Sequence, residues 1–307
     1  MKNALVIGYG SIGRRHVDVL QSLGLTVSVV SGHLKDAPFP LYPDTAAAFA
    51  RTGYSLIVVA VTTVCHAEIL RQLRQYANRD CVILVEKPLF ASLDQSVDMG
   101  DFPTFVGYIL RAHPLLRKVK ELTAGRKLYS CVCSCGQYLP DWRPGRDYTK
   151  GYSAHSKEGG GVLRDLSHEL DYLQMISGKW EKVIALGGKY SDLEIHSDDQ
   201  YALLFSTENC PVCECHIDYL ARKVHRDLFV EFDGGSLHLD FIAGKLDVNN
   251  ETETVTLERN DLFRTMHTEA LSGRSDFLAN WEDGLNAMTL IEAAERSVKE
   301  EKWIRNR

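Results

Sequence analysis

Asp165, His168 and Asp171 stand three residues apart within Gly159-Gly160-Gly161-Val162-Leu163-Arg164-Asp165-Leu166-Ser167-His168-Glu169-Leu170-Asp171-Tyr172. On a helix, residues at that spacing fall along one face, so two carboxylates and an imidazole share a stripe. An imidazole titrates near neutrality and suits proton transfer, with a carboxylate to position the ring or a substrate. The apolar residues from Val162 to Ile176 recur at helical spacing and Ser177-Gly178 supplies a stop, which predicts one helix over 162–176. The plainer alternative is an ordinary solvated helix face, and the rest of the chain weighs against it.

Two further groups carry chemistry. Glu86-Lys87-Pro88 closes the apolar run Cys81 to Val85. A lysine before proline is held extended, its bond to the proline has access to the cis form, and a strand's carboxyl end aims it into a crevice. Pro140-Asp141-Trp142-Arg143-Pro144-Gly145-Arg146-Asp147-Tyr148 reads as a stiffened polar loop. Arg143 and Arg146 could clamp a carboxylate or phosphate, and Trp142, Tyr148 or Tyr152 could stack on a sugar face. Internal Arg–Asp pairs are the structural alternative for that loop.

These groups need elements to position them. Ala4 to Ile7 reads as a buried parallel strand and runs into Gly8-Tyr9-Gly10-Ser11-Ile12-Gly13, after which a helix begins. Gly8 makes the tight turn, Gly10 admits a pyrophosphate, and Gly13 allows helix-to-strand packing. Ser11 and Ile12 open the helix, whose amides and dipole favour the anion. Such a motif between a first strand and a helix is strong evidence for dinucleotide binding. The second strand, Leu25 to Val30, ends at Ser31 rather than at a carboxylate. Ser31 can donate to a 2'-phosphate and Lys35, His33 or Arg14 can neutralise it, so NADP(H) is the expected cofactor, with NAD(H) as the alternative. The third strand, Leu56 to Val61, brings Thr62, Thr63 and His66 to the carboxyl edge beside the cofactor, and the fourth adds Glu86 and Lys87. A fifth, Phe102 to Tyr108, leads to Arg111.

The chain has 307 residues and a net charge of -6, enough length for two domains and too little basic clustering for a nucleic-acid binder. No apolar run approaches the roughly 20 residues of a membrane span, and the start, Met1-Lys2-Asn3 followed directly by an apolar strand, shows no cleavable leader. The expectation is a cytoplasmic protein without membrane partners. Of the eight cysteines, Cys131, Cys133 and Cys135 alternate as on one sheet face, while Cys210, Cys213 and Cys215 form a second cluster. They are expected to serve as small buried hydrophobes, with no metal.

The glycine fingerprint, Glu86-Lys87-Pro88, the stretch Gly107 to Pro114 and the stretch Gly159 to Asp171, in that order, resemble the glucose-fructose oxidoreductase, inositol dehydrogenase and MocA (Gfo/Idh/MocA) family over nearly the whole chain. The resemblance implies an α/β protein: an N-terminal Rossmann domain with a doubly wound parallel sheet, residues 1–118, then a C-terminal α/β domain with an open, mainly antiparallel sheet, residues 119–307. It implies hydride transfer between a nicotinamide cofactor and a secondary alcohol of a sugar, and a homodimer or homotetramer built on one face of the second sheet. By position, Lys87 matches the family's catalytic lysine, His168 its catalytic histidine, and Asp165 the aspartate upstream. The sequence departs from the family in placing Asp165 three rather than four residues before His168, and in lacking an asparagine near Ile109. Gln137 to Tyr172 resembles a branch associated with acidic and amino sugar biosynthesis, which suits an anionic substrate and the two arginines.

In the expected reaction His168 takes the alcohol proton and the Lys87 ammonium polarises the oxygen, or the two exchange roles. Asp165 positions substrate or histidine, Asp171 is structural, and Lys87, Arg111, Trp142, Arg143, Arg146, Tyr148, Tyr152, Asp165 and His168 form the expected substrate set. The alternatives are a non-catalytic NADP-binding sensor and a reductase of a non-sugar on the same fold. From Lys182 to Thr256, short alternating runs broken by Ser, Asp, Asn and Gly read as the antiparallel sheet. Helices are expected at 261–271, 274–280 and 281–300, the last packing back on the first domain.

Overall fold

The structure, a computed structural model, describes residues 2–273 and 275–306. The chain forms two compact units, Met1–Ala112 with Glu258–Gly284, and His113–Leu257 with Leu285–Arg307. The first break falls at His113, before the helix rather than after residue 118. The first unit takes back Glu258–Gly284, including only the opening turn of the last long helix.

In the first unit the chain runs through β1 (Asn3–Ile7), α1 (Ser11–Ser22), β2 (Thr26–Val30), β3 (Leu41–Tyr42), α2 (Thr45–Phe49), β4 (Leu56–Val59), α3 (His66–Tyr76), β5 (Val82–Val85) and β6 (Thr104–Val106). The strands lie in the order β6-β5-β4-β1-β2-β3, all parallel. Ala279–Asn280 adds antiparallel to the free edge of β6. Every residue of β4 and β5 is buried, which is why these strands read as unbroken apolar runs. Chain order reverses beside β1, where Val6 pairs with Val29 on one side and Val58 on the other, so the crevice for a ligand opens at the carboxyl ends of these strands.

The second unit contains α4 (Pro114–Thr123), β7 (Leu128–Gly136), α5 (Val162–Asp165), α6 (His168–Ser177), β8 (Trp180–Gly188), β9 (Gln200–Thr207), β10 (Cys213–Asp218), β11 (His225–Phe232), β12 (Gly235–Asp240), β13 (Lys245–Val248) and β14 (Glu251–Thr254). Its sheet runs β14-β13-β12-β11-β7-β10-β9-β8, closed by Ile304–Arg305, and every pairing is antiparallel except β7 with β10. One face is apolar and buried, with Leu228 and Val230 of β11 inward and Phe229 between them outward. Two helices complete the chain, α7 (Asp261–Ala270) and α8 (Trp281–Glu300). Among the described residues no helix is long and apolar enough to cross a membrane.

Two expected helices differ. The helix over 162–176 is broken, because Leu166 at φ -99° and ψ 29° leaves helical geometry and separates α5 from α6. Of the helix expected over 274–280, residue 274 lies outside the described residues. The remainder is bends and the short strand Ala279–Asn280. There the Ser275 hydroxyl oxygen accepts from the amides of Phe277 (3.1 Å) and Leu278 (2.9 Å), a local alternative to helical bonding.

Candidate active site

The loop between β1 and α1 has the geometry its glycines imply. Gly8 sits at φ +100°, and a Cβ there would lie 2.5 Å from the Ala60 carbonyl oxygen. One on Gly13 would lie 2.1 Å from the Gly8 oxygen, whereas one on Gly10 would meet nothing within 4 Å. The first two glycines are therefore required by the fold, and the third leaves open space. No side chain caps the N-terminus of α1 at Gly10, so the first amides after it, those of Ser11 and Ile12, are left to an outside acceptor. Open space and uncapped amides fit a dinucleotide pyrophosphate.

Around this loop the expected contacts divide. The Ser31 oxygen accepts from the amides of His33 (3.4 Å) and Leu34 (3.2 Å), leaving its proton to donate, and Lys35 is exposed. Thr62 is exposed and Thr63 buried. Lys87 is half-buried at the end of β5 and its bond to Pro88 is cis. Two expected ligand contacts are instead ties of the fold. His66 is 1% exposed, its ring lies between the carbonyls of Leu89 (3.1 Å) and Val61 (3.3 Å), and burial holds its pKa below the usual imidazole value. Arg111 is 4% exposed and pairs with Asp283 at 2.9 Å, so its guanidinium is spent inside the unit.

Glu86 belongs to an arrangement that sequence reasoning missed. Its carboxylate meets His16 Nε2 at 2.8 Å, and His16 Nδ1 meets His267 Nε2 at 2.8 Å. Both rings are wholly buried, and burial, reinforced by His16, keeps the His267 pKa well below its ordinary value. The carboxylate orients the His16 ring, whose Nε2–H donates to Glu86. Gly107 admits this carboxylate closely, since a Cβ there would lie 3.1 Å from Glu86 Oε1. His16 stands in the turn after the fingerprint, but nothing in the sequence joins it to residue 267.

In the second unit Asp165 and Asp171 are 4% and 2% exposed and His168 is half-buried, so the stripe is not a solvated face. The Asp165 carboxylate accepts the Tyr152 hydroxyl and, at 2.6 Å, the Tyr219 hydroxyl. Burial first, and Asp165 second, raise both phenols well above the usual tyrosine pKa. The glycine run seats this segment: Gly161, at φ +121°, lies where a Cβ would be 2.3 Å from Asp198 Oδ1, and Asp198 Oδ2 accepts from the Leu163 amide at 3.0 Å. Arg164 pairs with Glu295, and buried Glu169 with Arg226 at 2.9 Å.

Tyr152 also lines a cavity of about 460 Å³ with Trp142, Arg143, Arg146, Tyr148 and Lys150. Asp147, on the same wall, bonds Thr149 and Lys150 rather than either arginine. Arg143 and Arg146 are exposed and enter no ion pair among the described residues, so the loop is not tied by internal Arg–Asp pairs. Tyr219, behind Tyr152, packs edge-on against Trp142 at 5.1 Å.

No curated protein matches the chain in sequence. Among solved structures, a myo-inositol dehydrogenase from Corynebacterium glutamicum is 19% identical, with a TM-score of 0.80, over 100% of this chain and 99% of that one. A levoglucosan dehydrogenase solved with NADH is 17% identical, with a TM-score of 0.83, over 99% and 98% of the two chains. GenD2 from gentamicin A biosynthesis, solved with NAD, is 20% identical, with a TM-score of 0.78, over 100% and 96%. These likenesses establish the fold end to end. Residues 2–103 match the family model of the Gfo/Idh/MocA oxidoreductases, described as oxidoreductase family, NAD-binding Rossmann fold.

Proposed function

We propose that the chain is a dehydrogenase of an anionic sugar, passing hydride between the carbon of a secondary alcohol and NADP(H). The observation that carries the substrate class is the cavity of about 460 Å³, where Arg143, Arg146 and Lys150 stand beside Trp142, Tyr148 and Tyr152. Three cations against one carboxylate favour an anion, and aromatic walls favour a sugar ring. Tyr152, fixed by Asp165, gives that wall a set position. Bound nicotinamide supplies or accepts the hydride. His168 takes the alcohol proton and Lys87 steadies the developing negative charge on oxygen. Asp165 acts through Tyr152 as a positioning residue.

The preference for the phosphorylated cofactor rests on Ser31 and exposed Lys35 where many NAD proteins carry a carboxylate. The same reading takes the outward sheet face, where Leu186 is 76%, Phe229 44% and Leu204 40% exposed, as a surface between copies of the chain. Initial rates with each oxidised cofactor, over a panel of carboxylated, amino and neutral sugars, test the proposal. Turnover on carboxylated sugars supports it. Cofactor binding with no turnover on any of them would assign the chain to a sensor instead.

A further inference from the structure

Cys210-Pro211-Val212-Cys213 forms the turn that delivers the chain from β9 into β10. Cys213 then pairs in parallel register with Cys131 of β7, placing a third thiol beside the turn. The three sulfurs lie within 4.8 Å of one another, and the residues are 0%, 1% and 0% exposed at 131, 210 and 213. The turn is held by its own bonds. The Thr207 amide donates to the Cys210 carbonyl (3.0 Å), the Cys210 amide donates to the Thr207 hydroxyl (3.2 Å), and the Cys131 amide donates to the Val212 carbonyl (3.0 Å). Thr207 is itself anchored through its hydroxyl to the Ser177 carbonyl at 2.8 Å.

We propose that Cys131, Cys210 and Cys213 bind one thiophilic cation of the Zn(II), Cd(II) or Cu(I) class, tying the β9–β10 turn to β7. Two cysteines on a turn with two residues between them, joined by a third from the next strand, are the arrangement soft cations select. The remaining buried cysteines lack this convergence, because Cys81, Cys133, Cys135 and Cys215 belong to no comparable group of three among the described residues. Asn209 and Pro211 are exposed on either side of Cys210, giving an ion a short way in. Binding releases thiol protons to solvent, so affinity rises with pH.

The test is a Cd(II) titration of the full chain, reduced by a phosphine under argon, in a Cys65→Ala background that removes the exposed thiol. Thiolate-to-cadmium charge-transfer absorption is expected to rise and stop at one equivalent, with Zn(II) competing and the melting temperature increasing. Cys210→Ala, on the turn, and Cys131→Ala, within the strand, are each expected to lower affinity at least about a hundredfold. Absorption that fails to saturate at one equivalent, or that survives Cys210→Ala, overturns the site. A Cys210–Cys213 disulfide in protein prepared without oxidant also overturns it. Neither outcome bears on the dehydrogenase proposal, which uses none of these residues.

Discussion

Tyr219→Phe removes one hydroxyl and nothing else from the group that holds Asp165. In the native protein the carboxylate accepts that phenol at 2.6 Å inside a site where Asp165 is 4% and Tyr219 0% exposed. A hydrogen bond to a buried charged group contributes about 1.5–3 kcal/mol, and that is the expected loss of stability. Asp165→Asn keeps the shape but removes the charge, so in its presence the same tyrosine change should cost only about 0.5–1.5 kcal/mol, the value of a neutral bond. Urea denaturation of wild type, both single variants and the double variant, followed by far-ultraviolet circular dichroism, yields the coupling directly. The expected coupling is about 1 kcal/mol or more, beyond the 0.3–0.5 kcal/mol within which independent sites add. Because Tyr152 shares this carboxylate and lines the cavity, Asp165→Asn should also raise KM for an anionic sugar more than it lowers kcat. Additive stabilities, or a loss confined to kcat, would refute the positioning role.

Other expected outcomes follow from single residues. Arg143→Ala and Arg146→Ala should each raise KM for a carboxylated sugar about tenfold to a hundredfold, the equivalent of one charge-assisted bond, and leave neutral-sugar kinetics and the melting temperature unchanged. Gly10→Ala, whose Cβ meets no protein atom within 4 Å, should fold normally yet weaken dinucleotide binding at least tenfold by fluorescence titration. Gly13→Ala, with its Cβ 2.1 Å from the Gly8 oxygen, should lose both binding and stability. Burial brings the His113 pKa down to about 4, so the unfolded chain takes its proton first, and stability is lost as pH falls from about 6.5 toward 4. Burial pushes Asp198 up to about 6, so the folded chain holds its proton more tightly and stability is gained as pH falls through the same interval. Asp198→Asn removes the opposing contribution, and melting temperatures between pH 7 and 4 should fall more steeply in that variant than in wild type.

The parallel sheet was legible because β1, β4 and β5 are buried on both faces and so appear as apolar runs, each ending in a loop with its own signature. The second sheet was legible as the stretch Lys182 to Thr256 rather than strand by strand, and β14, every residue of which is exposed, offers no apolar alternation to read. Return of Glu258–Gly284 to the first unit leaves no local trace either, since its partners His16, Arg111 and Val106 lie far back in the chain. At the candidate site the residue types were legible but their surroundings were not. Arg111 and Trp142 look equally available in sequence, yet a carboxylate at residue 283 buries the first and an open cavity receives the second. Tyr219 and His267 carried no signal at all, because what selects them is distance across the fold rather than spacing along it.

Nicotinamide fluorescence on titrating the purified protein with NADPH, and separately with NADH, tests the central claim most directly. The account predicts saturable binding of both at one site per chain, tighter for NADPH, on the proposal that Ser31 and Lys35 would meet a 2'-phosphate where many NAD proteins carry a carboxylate. Tighter binding of NADH would reverse the cofactor assignment and leave the sugar chemistry standing. Binding of neither would contradict the dehydrogenase reading itself.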